Sequence, residues 1–150
     1  MKHRIAAGAL VVENDRLLVV RHRIVGRYDF WVPPGGGVLG AEELTTAAIR
    51  ETFEETGLVV EVGALAYVDE IASPEFRQCK FWYLAHVTGG SLLVPSNAAA
   101  EHIVEAQFLG QQQLRATTVF PDVLASEFWA HLREGFAEPR CLGVREMVTA

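Results

Sequence analysis

Four glutamates and an arginine sit in one short run, Glu42, Arg50, Glu51, Glu54 and Glu55, with Gly36 ahead of them and Gly57 just after. Residues 42–56 contain neither Pro nor Gly and are rich in Glu, Ala and Leu, which predicts a helix. Gly57 is its natural stop, because glycine adopts the left-handed C-cap conformation at little cost. At about 100° per residue, Glu51, Glu54 and Glu55 share one face. Three like charges there repel unless a cation neutralises them. An all-oxygen carboxylate set suits a hard divalent ion, Mg²⁺ or Mn²⁺. Mg²⁺ keeps several waters and shares its shell with substrate phosphates, so the pattern points to a phosphate ester or diphosphate substrate. Arg50 precedes Glu54 by four residues and lies beside it on the helix. Leu44, Ala47 and Ala48 extend the acidic face toward the N-terminus. Ile49 and Phe53 lie opposite, and a helix apolar on two sides is expected to pack between layers.

The run from Gly36 to Leu58, GGVLGAEELTTAAIRETFEETGL, resembles the Nudix box, G-x5-E-x7-R-E-U-x-E-E-x-G-U, where U is a bulky aliphatic residue. Every charged and glycine position is met. Thr52 stands where an aliphatic side chain is expected, and Leu58 fills the last U. The resemblance implies that Glu51, Glu54 and Glu55 bind metal and that Arg50 orients a metal-binding glutamate. It also implies that a glycine carbonyl of the preceding loop joins the shell, with Gly37 the candidate. Glu51, Glu54 and Arg50 are thereby expected in catalysis, Glu51 as ligand and candidate base. A further acid outside the box often completes such sites. Glu101 is the first candidate and Glu105 the second, both in the segment leading into a late strand, while the neighbouring His102 reads as an ordinary polar residue.

The same resemblance implies metal-dependent hydrolysis of the diphosphate bridge of a nucleoside diphosphate linked to a group X. Nucleotide sugars (including ADP-ribose) and (d)NTPs rank nearly equal as substrates, and Pro74, sixteen positions past Leu58, is weakly in favour of ADP-ribose. The expected partner is a small-molecule nucleotide, and homodimers are common in the family. A reading of another class is a non-catalytic, nucleotide-sensing binding module of the same fold. Such modules tend to lose box acids, and here all are intact.

Ahead of the helix runs FWVPPGGGV, residues 30–38. Two prolines end any strand, and three glycines permit tight turns and close approach of backbone to a ligand. No Gly-Lys-Ser/Thr follows, so this is not a P-loop. Arg21, Arg23 and Arg27 lie near this loop as candidate phosphate contacts. Tyr28, Phe30, Trp31, Phe76 and Trp82 are candidates to stack on a base, with Trp31 and Trp82 read first as core.

The elements that must hold this site follow from local patterns. Arg4–Val12 and Leu17–Arg23 read as a hairpin around Glu13–Arg16, and Phe30–Val32 as a short strand. After the helix come a strand from Val59 to Val68 bent near Gly63, a polar loop from Asp69 to Arg77, and an aromatic strand from Gln78 to Val87. A turn at Thr88–Ser91, a strand at Ile103–Leu109, a short helix at Gln111–Leu114 and a helix from Pro121 to Arg133 complete the order. From Phe136 the chain is ambiguous between strand and tail. Strands before, between and after helices predict an α/β fold, and the resemblance implies a Nudix-type α/β/α sandwich on a mixed sheet, one domain over residues 1–150.

Composition agrees. Half of the 150 residues are apolar, enough for one core. The net charge of −6 and the lack of a basic run argue against binding extended nucleic acid, which needs Lys and Arg against phosphates. Cys79 and Cys141 form no metal or redox motif and read as reduced, buried thiols of a cytoplasmic protein. The apolar N-terminus runs straight into Glu13-Asn14-Asp15 without a cleavage site, so it reads as a strand, and no segment is long enough to span a membrane.

Overall fold

A computed structural model describes residues 1–146. Strands β1 (Lys2–Glu13) and β2 (Arg16–Ile24) form a hairpin closed by Asn14 and Asp15, which carry the left-handed φ values of 51° and 59°. Asn and Asp tolerate that region best among residues with a side chain, which fits the tight turn. Next come β3 (Tyr28–Val32), β4 (Gly35–Gly37), helix α1 (Leu44–Thr56), and the long strands β5 (Leu58–Ala72) and β6 (Phe76–Gly90). A 3-10 turn (Ser96–Glu101), β7 (Ile103–Gly110), α2 (Gln111–Arg115), a second 3-10 turn (Asp122–Ala125), α3 (Phe128–Glu134) and β8 (Arg140–Glu146) follow.

The strand order is β3-β2-β1-β6-β5-β8, with β4 beside β1 and β7 beside β2. The β1–β6 and β5–β8 pairs are parallel and the others antiparallel, so the sheet is mixed. Alternation along β1 sends Ala7, Ala9 and Val11 toward one face and Leu10 toward the other. On the first face, Ala47, Ala48 and Ile49 of α1 pack over Ala7, Val11 and Leu18. On the second, Leu114, Val123, Leu124, Phe128 and Trp129 cover Leu10, Leu17, Val19 and Trp82. Helices on both faces of a mixed sheet make the expected α/β/α sandwich. Phe128 is fully buried, so truncating it to Ala costs about 3–5 kcal/mol.

Several boundaries differ from expectation. The helix begins at Leu44, leaving Glu42 in the loop that precedes it. Phe53 is 52% exposed, so α1 buries one side only and is not sandwiched between layers. The PPGGG segment is not all loop, because its glycines pair with Ala6, Ala7 and Gly8 as β4. The polar stretch 69–77 is mostly strand: β5 and β6 run to a tight turn at residues 73–75, since cross-strand pairing outweighs local polarity. Likewise β6 continues to Gly90 opposite Leu58. The helix expected over 121–133 breaks at Ser126, whose φ of −133° and ψ of −99° are not helical. From Phe136 the chain resolves into β8, a sheet edge, and the final residues 147–150 lie outside the described residues. The cysteines are unpaired, but Cys141 is exposed and Cys79 half-buried, so neither is the buried thiol expected.

Candidate functional site

Packing of α1 decides which of its glutamates face inward. Ala47, Ala48, Thr52 and Thr56 are fully buried against the sheet. Glu51 and Glu55, one turn apart, border that stripe and are carried in with it, at 8% and 2% exposure. Glu54 sits further round, with its side chain 45% exposed. Thr52 fits a wholly apolar position because its Oγ1 donates to the Ala48 carbonyl at 2.7 Å.

The first 3-10 turn delivers a third acid. Ala98 packs with Val20 and Ile103, and His102, at a left-handed φ of 61°, turns the chain into β7. This leaves Glu101 over the helix. Carboxylate oxygens of Glu51, Glu55 and Glu101 all lie within 4.8 Å of one another, and Glu54 joins these three in lining a small cleft.

The glycine strand closes the other side. The Gly35 N–H lies 3.4 Å from both carboxylate oxygens of Glu55. A Cβ on Gly36 would fall 2.6 Å from Cδ of Glu51. Gly37, the residue expected to turn its carbonyl to a metal, instead presents it to Arg50, whose Nη2 donates at 3.1 Å. Gly35 and Gly36, not Gly37, are the loop residues brought against the carboxylates. The difference arises because β4 pairs in register with β1, which fixes how the three glycines alternate.

Arg50 ties the site together. Its Nη1 donates to Glu51 at 3.0 Å and to Glu54 at 3.1 Å, and its Nε and Nη2 hold Glu42. Burial pushes the Glu55 carboxyl well above the ordinary carboxylate range; Lys80 pulls it back, while Glu51 and Glu101 push it up further. Burial also raises Glu51, against the pull of Arg50. Lys80, held down to about 8 by burial, is the nearby ammonium. Three converging carboxylates, two of them buried and resisting ionisation, make an all-oxygen donor set that fits a hard divalent cation.

Other sequence candidates fall elsewhere. Glu105 is 3.2 Å from Arg21, and Arg21 is also gripped by Asp29 at 2.7 Å and lies over the Trp31 ring. Both are thus engaged in structural pairing on β2, β3 and β7. Trp31 and Trp82 are core residues, whereas Phe30 lines a cavity of about 400 Å³ together with Phe120, Trp82, Gln78, Asp69 and Arg145. Sequence reading missed Arg4, Lys80 and Gln78, which line the cleft linking that cavity to Glu101. The period-2 spacing of Gln78, Lys80 and Trp82 on one strand face was their available signal.

Known proteins resemble this chain in sequence and in fold. The model of the NUDIX domain matches residues 2–127. An RNA pyrophosphohydrolase of Rickettsia africae is 28% identical over 113 residues, which is 75% of this chain and 58% of that protein. The chain therefore spans little more than half the length of this curated relative. A solved UDP-X diphosphatase superposes with a TM-score of 0.74 at 20% identity, covering 94% of this chain and 68% of that one. An ADP-ribose pyrophosphatase from Streptococcus suis gives 0.70 at 18% identity, covering 92% and 98%. At such identities the superpositions show shared fold alone. The family-model match, spanning most of the chain and including the box from Gly36 to Leu58, establishes that this protein belongs to the Nudix family.

Proposed function

We propose that the protein is a metal-dependent pyrophosphohydrolase that cleaves the diphosphate bridge of a nucleoside diphosphate linked to a second group. The observation that carries this reading is the convergence of Glu51, Glu55 and Glu101 within 4.8 Å beside a cavity of nucleoside size. Glu51, Glu55 and Glu101 would hold Mg²⁺, or Mn²⁺ in its place, with Glu54 at the open edge of the cleft. When bound, the cation supplies charge neutralisation at the bridge oxygens and acidifies a water.

The chain's own groups do the rest. Arg50 holds Glu51 and Glu54 in fixed orientation, a positioning role. Lys80 and Arg4 border the cleft beside Glu101 and oppose phosphate charge. Gly35 and Gly36 bring backbone against the Glu55 and Glu51 carboxylates, where a Cβ would clash. Glu101, the exposed acid of the three, would accept the proton of the attacking water through the carboxylate oxygen not given to the cation. Of the two substrate groups, nucleotide sugars including ADP-ribose are favoured over (d)NTPs by the second, open cleft lined by His3, Arg4 and Glu42, which gives room to a sizeable X. We further propose that it works in the cytoplasm on small nucleotides, as a homodimer. No helix among the described residues is long and apolar enough to cross a membrane.

The test is a hydrolysis panel of nucleotide sugars, ADP-ribose, dinucleotides, NTPs and dNTPs with Mg²⁺ or Mn²⁺, with EDTA and Glu55→Gln controls. Turnover that vanishes in both controls supports the reading. Metal binding by a folded protein without turnover on any substrate would replace it with the nucleotide-sensing module.

A further inference from the structure

The cavity of about 400 Å³ reaches the acidic cluster through the cleft that holds Glu101, because Phe30, Val32, Gln78 and Lys80 line both. Its floor is β6 and β5, with Gln78, Lys80 and Trp82 on the one and Asp69 and Ile71 on the other. The two ends of the strand order supply its sides. β3 gives Phe30 and β8 gives Arg145, with Glu146 exposed at the rim. Phe120 spans the gap between them. Its N–H donates to the Trp31 carbonyl at 2.9 Å, and the Trp31 N–H donates to the Thr118 carbonyl at 2.8 Å, so its backbone is fixed to β3. Its ring meets Phe30 edge-on at 5.4 Å, and the Arg145 guanidinium lies over it, 5.6 Å from the ring centroid.

Arg145 is held too firmly to be an incidental surface charge. Its Nε and Nη2 donate to Asp69 at 3.2 and 2.7 Å, and Asp69, 1% exposed, also accepts from Trp82 Nε1 at 3.4 Å. A carboxylate so enclosed needs its cation, and a guanidinium pinned along one edge keeps its flat faces for stacking. A break in the pairing of β8 puts Arg145 there. Val68 and Glu70 of β5 pair with Cys141 and Val144, so two steps on β5 answer three on β8. Gly143, within the longer stretch, carries a left-handed φ of 81° that favours glycine. In unbroken register Val144 would sit beside Ile71. The extra residue brings Arg145 to that place instead, in one row with Ile71 and Gln78. β8 lies beyond residues 2–127, the part that the family model matches.

We infer that β8 is a working part of the nucleotide site: Phe120 stacks on the base, and Arg145 is the positioning residue that holds Phe120 in place. The inference rests on the nucleotide reading above and names the groups that serve one end of that substrate. Phe120 is 40% exposed, so a ring at the lip of the cavity still has surface open to a partner. Phe30, Phe120 and Trp82 offer flat apolar wall, and the planar base is the part of a nucleotide that such walls take. Stacking of this kind is indifferent to which base it is, because every base has a π-face. Without Arg145, Phe120 loses the contact that fixes it toward β8, and a base must order the ring before stacking on it, at a cost in affinity. The carboxylates lie at the far end of the connecting cleft, so the loss falls on binding rather than on the chemical step.

The experiment uses the full chain. Binding of AMP, GMP and UMP without metal is followed by tryptophan fluorescence, since Trp82 lines the cavity, and KM and kcat are measured on ADP-ribose and UDP-glucose with Mg²⁺. We expect at least one of the mononucleotides to bind. Phe120→Ala should weaken it about tenfold. Arg145→Gln should weaken it about fivefold. The double variant should bind as Phe120→Ala does, within about twofold, because Arg145 acts through that ring. On the sugar nucleotides the losses should appear in KM, with kcat at saturation within about twofold of the wild type. Should Arg145→Gln fail to fold with Asp69 left unpaired, Asp69→Asn/Arg145→Gln takes its place, with and without Phe120→Ala. Wild-type affinity in Phe120→Ala or in Arg145→Gln, losses that multiply in the double variant, or no binding of any of the mononucleotides would each overturn the inference. Turnover with unchanged KM in these variants would overturn it while leaving the hydrolase reading intact. Coupled losses of binding without turnover in the wild type would do the reverse.

Discussion

Arg50 and Glu42 form a two-point ion pair, Nε to Oε2 at 2.8 Å and Nη2 to Oε1 at 3.0 Å, across the loop that joins the glycine strand to α1. The fork uses one end of the guanidinium on the loop and leaves Nη1 for Glu51 and Glu54. A lysine cannot reproduce this, because an ammonium is a point charge without planar, divergent donors. Arg50→Lys should cut kcat by about ten- to a hundredfold and raise the Mg²⁺ concentration needed for half-activity, with a folded protein by circular dichroism. Kinetics like the wild type at all metal concentrations would show that the fork does not position the carboxylates.

Gly36 owes its identity to Glu51. A Cβ there would lie 2.6 Å from Cδ and 2.7 Å from Oε1 of that residue, inside any real contact distance. Gly36→Ala must therefore displace the carboxylate while leaving β4 paired. We expect Mn²⁺ affinity, measured by calorimetry, to fall about tenfold or more. Gly63→Ala, whose Cβ would meet nothing nearer than the Leu84 carbonyl at 3.6 Å, is the matched control and should bind Mn²⁺ as the wild type does. Equal affinity in Gly36→Ala would mean that Glu51 is not a ligand.

Thr52 is the one departure from the box pattern. Its hydroxyl satisfies itself on the Ala48 carbonyl, one turn back, in an otherwise apolar contact with the sheet. Such back-bonding slightly weakens a helix, and the carbonyl keeps its helical partner if the hydroxyl goes. Thr52→Val should leave the melting temperature unchanged or raise it by up to about 3 °C. A lower melting temperature would show that the hydroxyl bond stabilises the helix.

The acidic cluster was legible in the sequence to the extent that helical geometry fixes neighbours. Glu51 and Glu55 are one turn apart, and their meeting follows from α1 existing at all. That Glu54 lies at the edge was not readable, because it depends on which stripe of α1 the sheet buries. Glu101 was reachable only as a candidate, since a 3-10 turn, far away in sequence, brings it over the helix. The neighbouring cavity was illegible for the same reason. Gln78, Asp69 and Arg145 come from three strands, and their meeting is set by the β5–β6 and β5–β8 registers. Polar residues 69–77 read locally as loop, and only pairing with neighbouring strands makes them sheet.

Arg21 holds Asp29 through Nε at 2.8 Å and Nη2 at 2.7 Å, and this pairing lowers the Asp29 carboxyl below its ordinary value. A depressed carboxyl contributes stability in full above its unfolded value, about 3.9, and loses it as pH falls through the lower folded value. Asp29→Asn should therefore melt below the wild type at pH 6, and the two curves should merge in acid. Thermal melts from pH 6 down to strong acid check this. A gap that persists unchanged into acid would assign the effect to packing rather than charge.

Glu55 sets function against stability. It is 2% exposed, its contacts with the Gly35 N–H are long at 3.4 Å, and Glu51 and Glu101 crowd the same point. A carboxylate kept there without a cation raises the free energy of the folded state, and an amide of the same shape does not. Glu55→Gln should therefore abolish measurable turnover yet melt higher than the wild type in EDTA, by about 2–4 °C for each kcal/mol recovered. Adding Mg²⁺ should reverse the order, since only the wild type gains stability from a bound ion. Lys80 provides the counter-argument, because it faces Glu55 and loses an anionic neighbour in the variant. If that attraction dominates, Glu55→Gln will melt lower in EDTA, and the cluster would then be an ion pair with Lys80 rather than a site strained in the absence of metal.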